Sequence, residues 1–77
     1  MAAQRGIYLR RILARNVRSL RKARGMNQEE LAADAYLTQA QVSKIEAARL
    51  NVRLDILQRL ASALGVRPAE LLDDSKR

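Results

Sequence analysis

The stretch Gln28-Glu-Glu-Leu-Ala-Ala-Asp-Ala-Tyr-Leu-Thr-Gln-Ala-Gln-Val-Ser-Lys-Ile-Glu46 decides the fold. It is preceded by Asn27 and carries Thr38 in its middle, two side chains that accept hydrogen bonds from the open N–H groups of a first helical turn. Glu30 follows Asn27 by three residues, the spacing at which its carboxylate reaches back to the cap. Met26 and Leu31 flank that cap as a hydrophobic staple. The pattern predicts helices over 28–35 and 39–47, joined by a turn at Tyr36 and Leu37. Leu31, Ala32, Leu37, Val42 and Ile45 supply the apolar positions that hold two such helices at a steep angle, and Ala32 is small where the second helix crosses the first. Val42 and Ile45, three residues apart, point inward. Gln39, Ala40, Gln41, Ser43 and Lys44 are left facing out, and four of these five have polar side chains of hydrogen-bonding length.

The rest of the chain frames this pair. Upstream, Leu13, Val17 and Leu20 recur at spacings of four and three, one face of a helix over 7–24. Gly25 stops it in the manner of a left-handed C-terminal residue. Downstream, Leu54, Leu57, Leu60, Ala61 and Leu64 form an apolar stripe on a helix over 54–64, ended by Gly65. Pro68 fits the first position of a short helix over 68–72, where no N–H is needed. Residues 73–77 are read as a frayed end. Ala, Leu, Arg and Glu abound, β-branched residues are few, and Tyr8 and Tyr36 are the only aromatics. The fold class is therefore all-α, with five helices in a single domain over 1–77, as suits a chain of 77 residues.

Charge and absences narrow the function. Lys and Arg number 15 against 8 Asp and Glu, a net +7. From Arg5 to Arg24 there are basic residues at Arg5, Arg10, Arg11, Arg15, Arg18, Arg21, Lys22 and Arg24, and no acidic one. Such a run is either a solvated face or a field for phosphate. The chain has no Cys and no His. Disulfides, the usual zinc sites and most nucleophile–base arrangements are thereby excluded, and the absence of cysteine fits a reducing cytoplasm. The four serines lack a partner base, and no glycine-rich phosphate loop occurs. We expect no enzyme activity, no cofactor, no metal and no small-molecule ligand. No apolar stretch approaches a membrane span, so no membrane partner is expected.

With these residues in view, the chain resembles the Cro/phage-repressor (XRE-like) class of helix-turn-helix regulators over about residues 13–72. The marks are Val17-Arg-Ser-Leu-Arg21, Gly25-Met-Asn-Gln-Glu-Glu-Leu-Ala32, Val42-Ser-Lys-Ile-Glu46 and Leu60-Ala-Ser-Ala-Leu-Gly-Val66. Asn51-Val-Arg-Leu-Asp-Ile-Leu57 is further similar to the controller proteins of restriction–modification systems. The resemblance implies a five-helix lambda-repressor-like domain with its helix-turn-helix core at 28–47. It also implies a cytoplasmic, nucleoid-associated regulator of prokaryotic or phage origin, acting as repressor or activator. Such a protein binds double-stranded DNA as a homodimer on a palindromic operator. Alternatives are a prophage-type repressor, an antitoxin that regulates its own gene, and, in another class, a protein–protein interaction module.

The resemblance also assigns roles. Gln28 and Gln39 match a pair in which the first glutamine bonds the second and the second reads adenine. An amide offers the donor and acceptor that adenine N7 and N6 require. The base-reading set is Gln39, Ala40, Gln41, Ser43 and Lys44. The phosphate-binding set is Gln28, Thr38, Arg18, Lys22, Tyr36, Arg49, Asn51 and Arg53. Arg21 and Glu46 match a buried ion pair linking the first helix to the end of the third. Dimerisation is assigned to residues 54–72, with Ile56 and Leu71 as the apolar patch. Tyr36 and Ala48 stand where the family commonly has glycine; a left-handed backbone at Tyr36 costs about 1–2 kcal/mol.

Overall fold

The computed structural model describes the backbone of residues 2–75 and the side chains of residues 7–75. Its regular elements are five helices: α1 (Ala2–Ala23), α2 (Gln28–Ala35), α3 (Gln39–Glu46), α4 (Leu54–Leu64) and α5 (Pro68–Leu71). The side chain of Arg5 and residues 76 and 77 of the expected frayed end lie outside the described residues. α1 begins five residues earlier than the periodicity predicts. Ala2 and Ala3 are strong helix formers, and the lone Gly6 lowers helix propensity without breaking the turn.

The caps are local and form as predicted. Asn27 accepts from the Glu30 N–H at 2.8 Å while Glu30 accepts from the Asn27 N–H at 2.8 Å. Four helices end in one way: a residue one or two positions past the last helical one turns left-handed, and a pair of bonds folds the chain back over the last turn. After α1 the bonds are Gly25 to Lys22 and Met26 to Arg21; after α2, Tyr36 to Ala33 and Leu37 to Ala32. After α3 they are Ala48 to Ile45 and Arg49 to Lys44; after α4, Gly65 to Ser62 and Val66 to Ala61. Two of the four left-handed residues are glycine; Tyr36 at φ 57 and Ala48 at φ 60 are not. Both take the left-handed backbone that glycine would take without strain.

One core joins all five helices. Leu13 and Val17 of α1, Leu31, Ala32 and Ala35 of α2, and Val42 and Ile45 of α3 are buried together with Leu57, Leu60, Ala61 and Leu64 of α4. Met26 and Leu37 pack against its edge, as the staple and turn positions require. α4 lies centrally and packs against α1, α2 and α5. This placement corrects two expectations. Ile56 and Leu71 are buried in the protomer, at 8% and 0% exposure, so they are core residues and not a free dimer patch. Leu54, assigned to the apolar stripe, is 81% exposed instead. A helix enclosed by three others buries more than one stripe, and its first residue projects past its neighbours.

The chain end is also tied to α1 as far as residue 74, which corrects its reading as frayed from residue 73. Asn16 Nδ2 donates to the carbonyls of Leu71 and Asp73, both at 2.9 Å, and so covers the open C-terminal end of α5. Tyr8 donates to the Asp74 carboxylate, and Arg15 donates to the Asp73 carbonyl at 3.3 Å.

Candidate nucleic-acid interface

α3 presents the face that its sequence predicts. Thr38 caps it, accepting from the Gln41 N–H at 3.1 Å. Val42 and Ile45 sink into the core. Gln39, Ala40, Ser43 and Lys44 are exposed, and Gln41 is half-buried. Gln41 has a local task that its spacing from Thr38 announces: its Oε1 accepts from the Thr38 N–H at 2.8 Å. Its carbonyl is thus held at the helix start, and its amino group is what remains to reach outward.

Behind this face runs a chain of polar contacts. Arg21 grips Glu46 through two parallel bonds, Nε to Oε2 at 2.6 Å and Nη2 to Oε1 at 3.0 Å. The fork-to-fork geometry is the strong form of this pairing. Arg21 Nη1 also donates to the Met26 carbonyl at 2.8 Å, so one side chain ties α1 to the α1–α2 turn and to the end of α3. The side chains of Arg21 and Glu46 are only 11% and 5% exposed. Bonding to Glu46 holds the guanidinium pKa above its ordinary value, and burial opposes this. Gln28 Nε2 donates to Glu46 Oε1 at 3.2 Å, and Gln39 Nε2 donates to Gln28 Oε1 at 3.1 Å. The expected ion pair and the expected glutamine pair therefore form one continuous network.

The cations assigned to phosphate take several positions. Arg18, Lys22 and Arg49 are exposed, as are Thr38 and Asn51. Tyr36 holds its ring 82% exposed at the α2–α3 turn. Arg53 is engaged: it donates twice to Asp55, at 3.0 Å each, in an exposed pair. Those bonds hold the Asp55 carboxyl below its ordinary pKa and the Arg53 guanidinium above its own. Arg59 of α4, not singled out from sequence, donates to the Tyr36 carbonyl at 3.2 Å and lies 3.8 Å from Asp55. It anchors the turn between the two motif helices. Its spacing of four from Asp55 is the one sequence signal for any partner; the bond to Tyr36 has none, because it depends on how α4 crosses the turn. Among the described residues no cluster of acidic or sulfur ligands able to hold a metal occurs, and no helix is long and apolar enough to cross a membrane.

Known proteins match this arrangement. The family model described as helix-turn-helix covers residues 17–71. A hypothetical transcription factor of Neisseria meningitidis serogroup B is 42% identical over 64 residues, 83% of this chain; the match spans 60% of that relative's length. The control protein C.BamHI of Bacillus amyloliquefaciens is 38% identical over 66 residues, 84% of this chain and 82% of that one. The crystal structure of the restriction–modification controller protein C.AhdI from Aeromonas hydrophila superposes with a TM-score of 0.78 at 35% identity, covering 80% of this chain and 94% of that one.

Proposed function

The chain belongs to the helix-turn-helix family, of the XRE type, and on that premise we propose that it regulates transcription by binding double-stranded DNA. The carrying observation is the exposed polar face of α3, with Gln39 held by Gln28, on a body of net charge +7. α3 enters the major groove. Gln39, Ala40, Ser43 and Lys44 meet base edges, and Gln41 offers them its amino group. Arg18, Lys22, Arg49, Asn51, Arg53, Thr38, Gln28 and Tyr36 meet the backbone, fixing position without reading sequence. Because Arg53 is paired with Asp55, a phosphate must displace that carboxylate to engage it. The protein works in the cytoplasm and catalyses no reaction. An interface core for protein would be more apolar and aromatic than this face, which favours DNA over a protein–protein module.

One recognition helix covers few base pairs, so a two-fold dimer on a palindrome follows, with recognition helices about 34 Å apart. With Ile56 and Leu71 buried, we assign pairing instead to a shallow groove between α1 and α4, lined by Leu9, Leu13, Val52, Leu54, Leu57 and Leu72. Leu54, Leu9 and Leu72 are exposed there. The likeness to C.BamHI and C.AhdI supports the role of controller of a restriction–modification operon. Retardation of a random-sequence duplex at two salt concentrations tests the DNA reading. Binding that weakens steeply with salt supports it, and no binding at low salt refutes it. Methyltransferase and endonuclease genes beside this one would support the controller role, and their absence would favour the prophage or antitoxin reading.

A further inference from the structure

We infer that Glu46 is a positioning residue that sets which hydrogen-bonding pattern Gln39 shows to a base, acting through Gln28. The inference rests on the DNA-reading role of α3 and deepens it. A glutamine side chain has two chemically different ends, and nothing in its shape decides which end faces which neighbour. Here the decision is made by chemistry at the far end of the network. A carboxylate can only accept hydrogen bonds. Glu46 is fixed by the two bonds from Arg21, so Gln28 must turn its amino end toward Glu46 Oε1, at 3.2 Å. That turn leaves Gln28 Oε1 facing α3, where it accepts from Gln39 Nε2 at 3.1 Å. Gln39 must therefore spend one N–H inward, and it presents its other N–H and its carbonyl outward. One donor beside one acceptor is the pattern that matches adenine, whose N7 accepts and whose N6 donates.

The reverse orientation has a different reading. If Gln28 flipped, its amino end would face Gln39 and Gln39 would turn its carbonyl inward. Gln39 would then show two N–H donors outward, which match guanine with its acceptors N7 and O6. The buried ion pair thus acts as a selector of adenine over guanine at one base pair, some distance from the groove. A purely structural ion pair would hold α3 in place and leave this choice open.

The test uses full-length protein and a duplex selected by it from a random pool, followed by measurement of relative affinity for adenine and guanine at every position. Gln39→Ala first locates the base pair that Gln39 reads. Glu46→Gln removes the acceptor-only anchor. Gln28→Leu breaks the relay while leaving Arg21 and Glu46 paired, and it serves alone if Glu46→Gln proves unfolded by circular dichroism. We expect both variants to lower the adenine-to-guanine preference at the pair found with Gln39→Ala by about tenfold, with preferences elsewhere unchanged. Full preference in folded Glu46→Gln or in Gln28→Leu, where Gln39→Ala loses it, overturns the relay and leaves the DNA-reading role standing. A Gln39→Ala protein with unaltered preferences overturns base reading by Gln39 itself.

Discussion

Replacing Ala48 with glycine should stabilise this protein, against the usual order of the two residues. Ala48 has φ 60 and closes α3, its N–H bonded to the Ile45 carbonyl. A Cβ in that left-handed region crowds the following carbonyl at a cost of about 1–2 kcal/mol. Glycine removes the cost, but its added freedom in the unfolded chain takes back about 0.4–1 kcal/mol. The net gain is about 0.5–1 kcal/mol, and loss of the half-buried methyl draws it toward the lower end. In a domain of this size that raises Tm by about 2–6 °C. Ala47 is the control, one position earlier at φ −91. There glycine relieves nothing and should cost about 0.5–1 kcal/mol. Thermal melts of both variants at one fixed protein concentration, to hold any dimer equilibrium constant, give the comparison. If Ala48→Gly melts below the parent alongside Ala47→Gly, the reasoning about the left-handed cap is wrong.

Removing Glu46 by alanine leaves the Arg21 charge buried without its partner and should cost about 3–5 kcal/mol in denaturant unfolding; a loss below 1 kcal/mol would show the pair to be solvated. Arg49→Ala should weaken binding to all duplex sequences alike and reduce the salt slope by about 1. A change of sequence preference would move Arg49 out of the phosphate set. Asp55→Asn frees Arg53 and should tighten binding to a random duplex, while unchanged affinity would show that Arg53 meets no phosphate. The parent has its own acid dependence here: Asp55 is held below its ordinary pKa, so the pair persists at neutral pH and is lost only as pH falls through that lowered value. Leu54→Asp should shift the protein toward monomer in sedimentation, and an intact dimer would place the pairing surface elsewhere.

What the sequence revealed was largely what neighbouring residues settle among themselves. Asn27 with Glu30, Thr38 as a cap, Gly25 and Gly65 as stops, and the inward pair Val42 and Ile45 all depend on spacings of a few residues, and all stand in the structure. The match of Arg21 with Glu46 and of Gln28 with Gln39 came from resemblance to a family, and the structure joins them into one network through the Gln28–Glu46 bond. Ile56 and Leu54 exchanged places because burial on α4 depends on which helices surround it, and no periodicity within α4 carries that information. Gln41 is legible both as a cap partner, from its spacing to Thr38, and as an outward-facing side chain, and the structure shows the capping bond. Asn16 and Arg59 reach carbonyls 55 and 23 residues away, contacts that only the tertiary arrangement creates.

Titration of isotopically labelled protein with a short duplex at low ionic strength, followed residue by residue by NMR, tests the central proposition most directly. The account predicts that the largest shifts fall on Gln39, Ala40, Ser43 and Lys44, with smaller ones at Arg49 and Asn51. Shifts centred on the far ends of α4 and α5, with α3 silent, would contradict it.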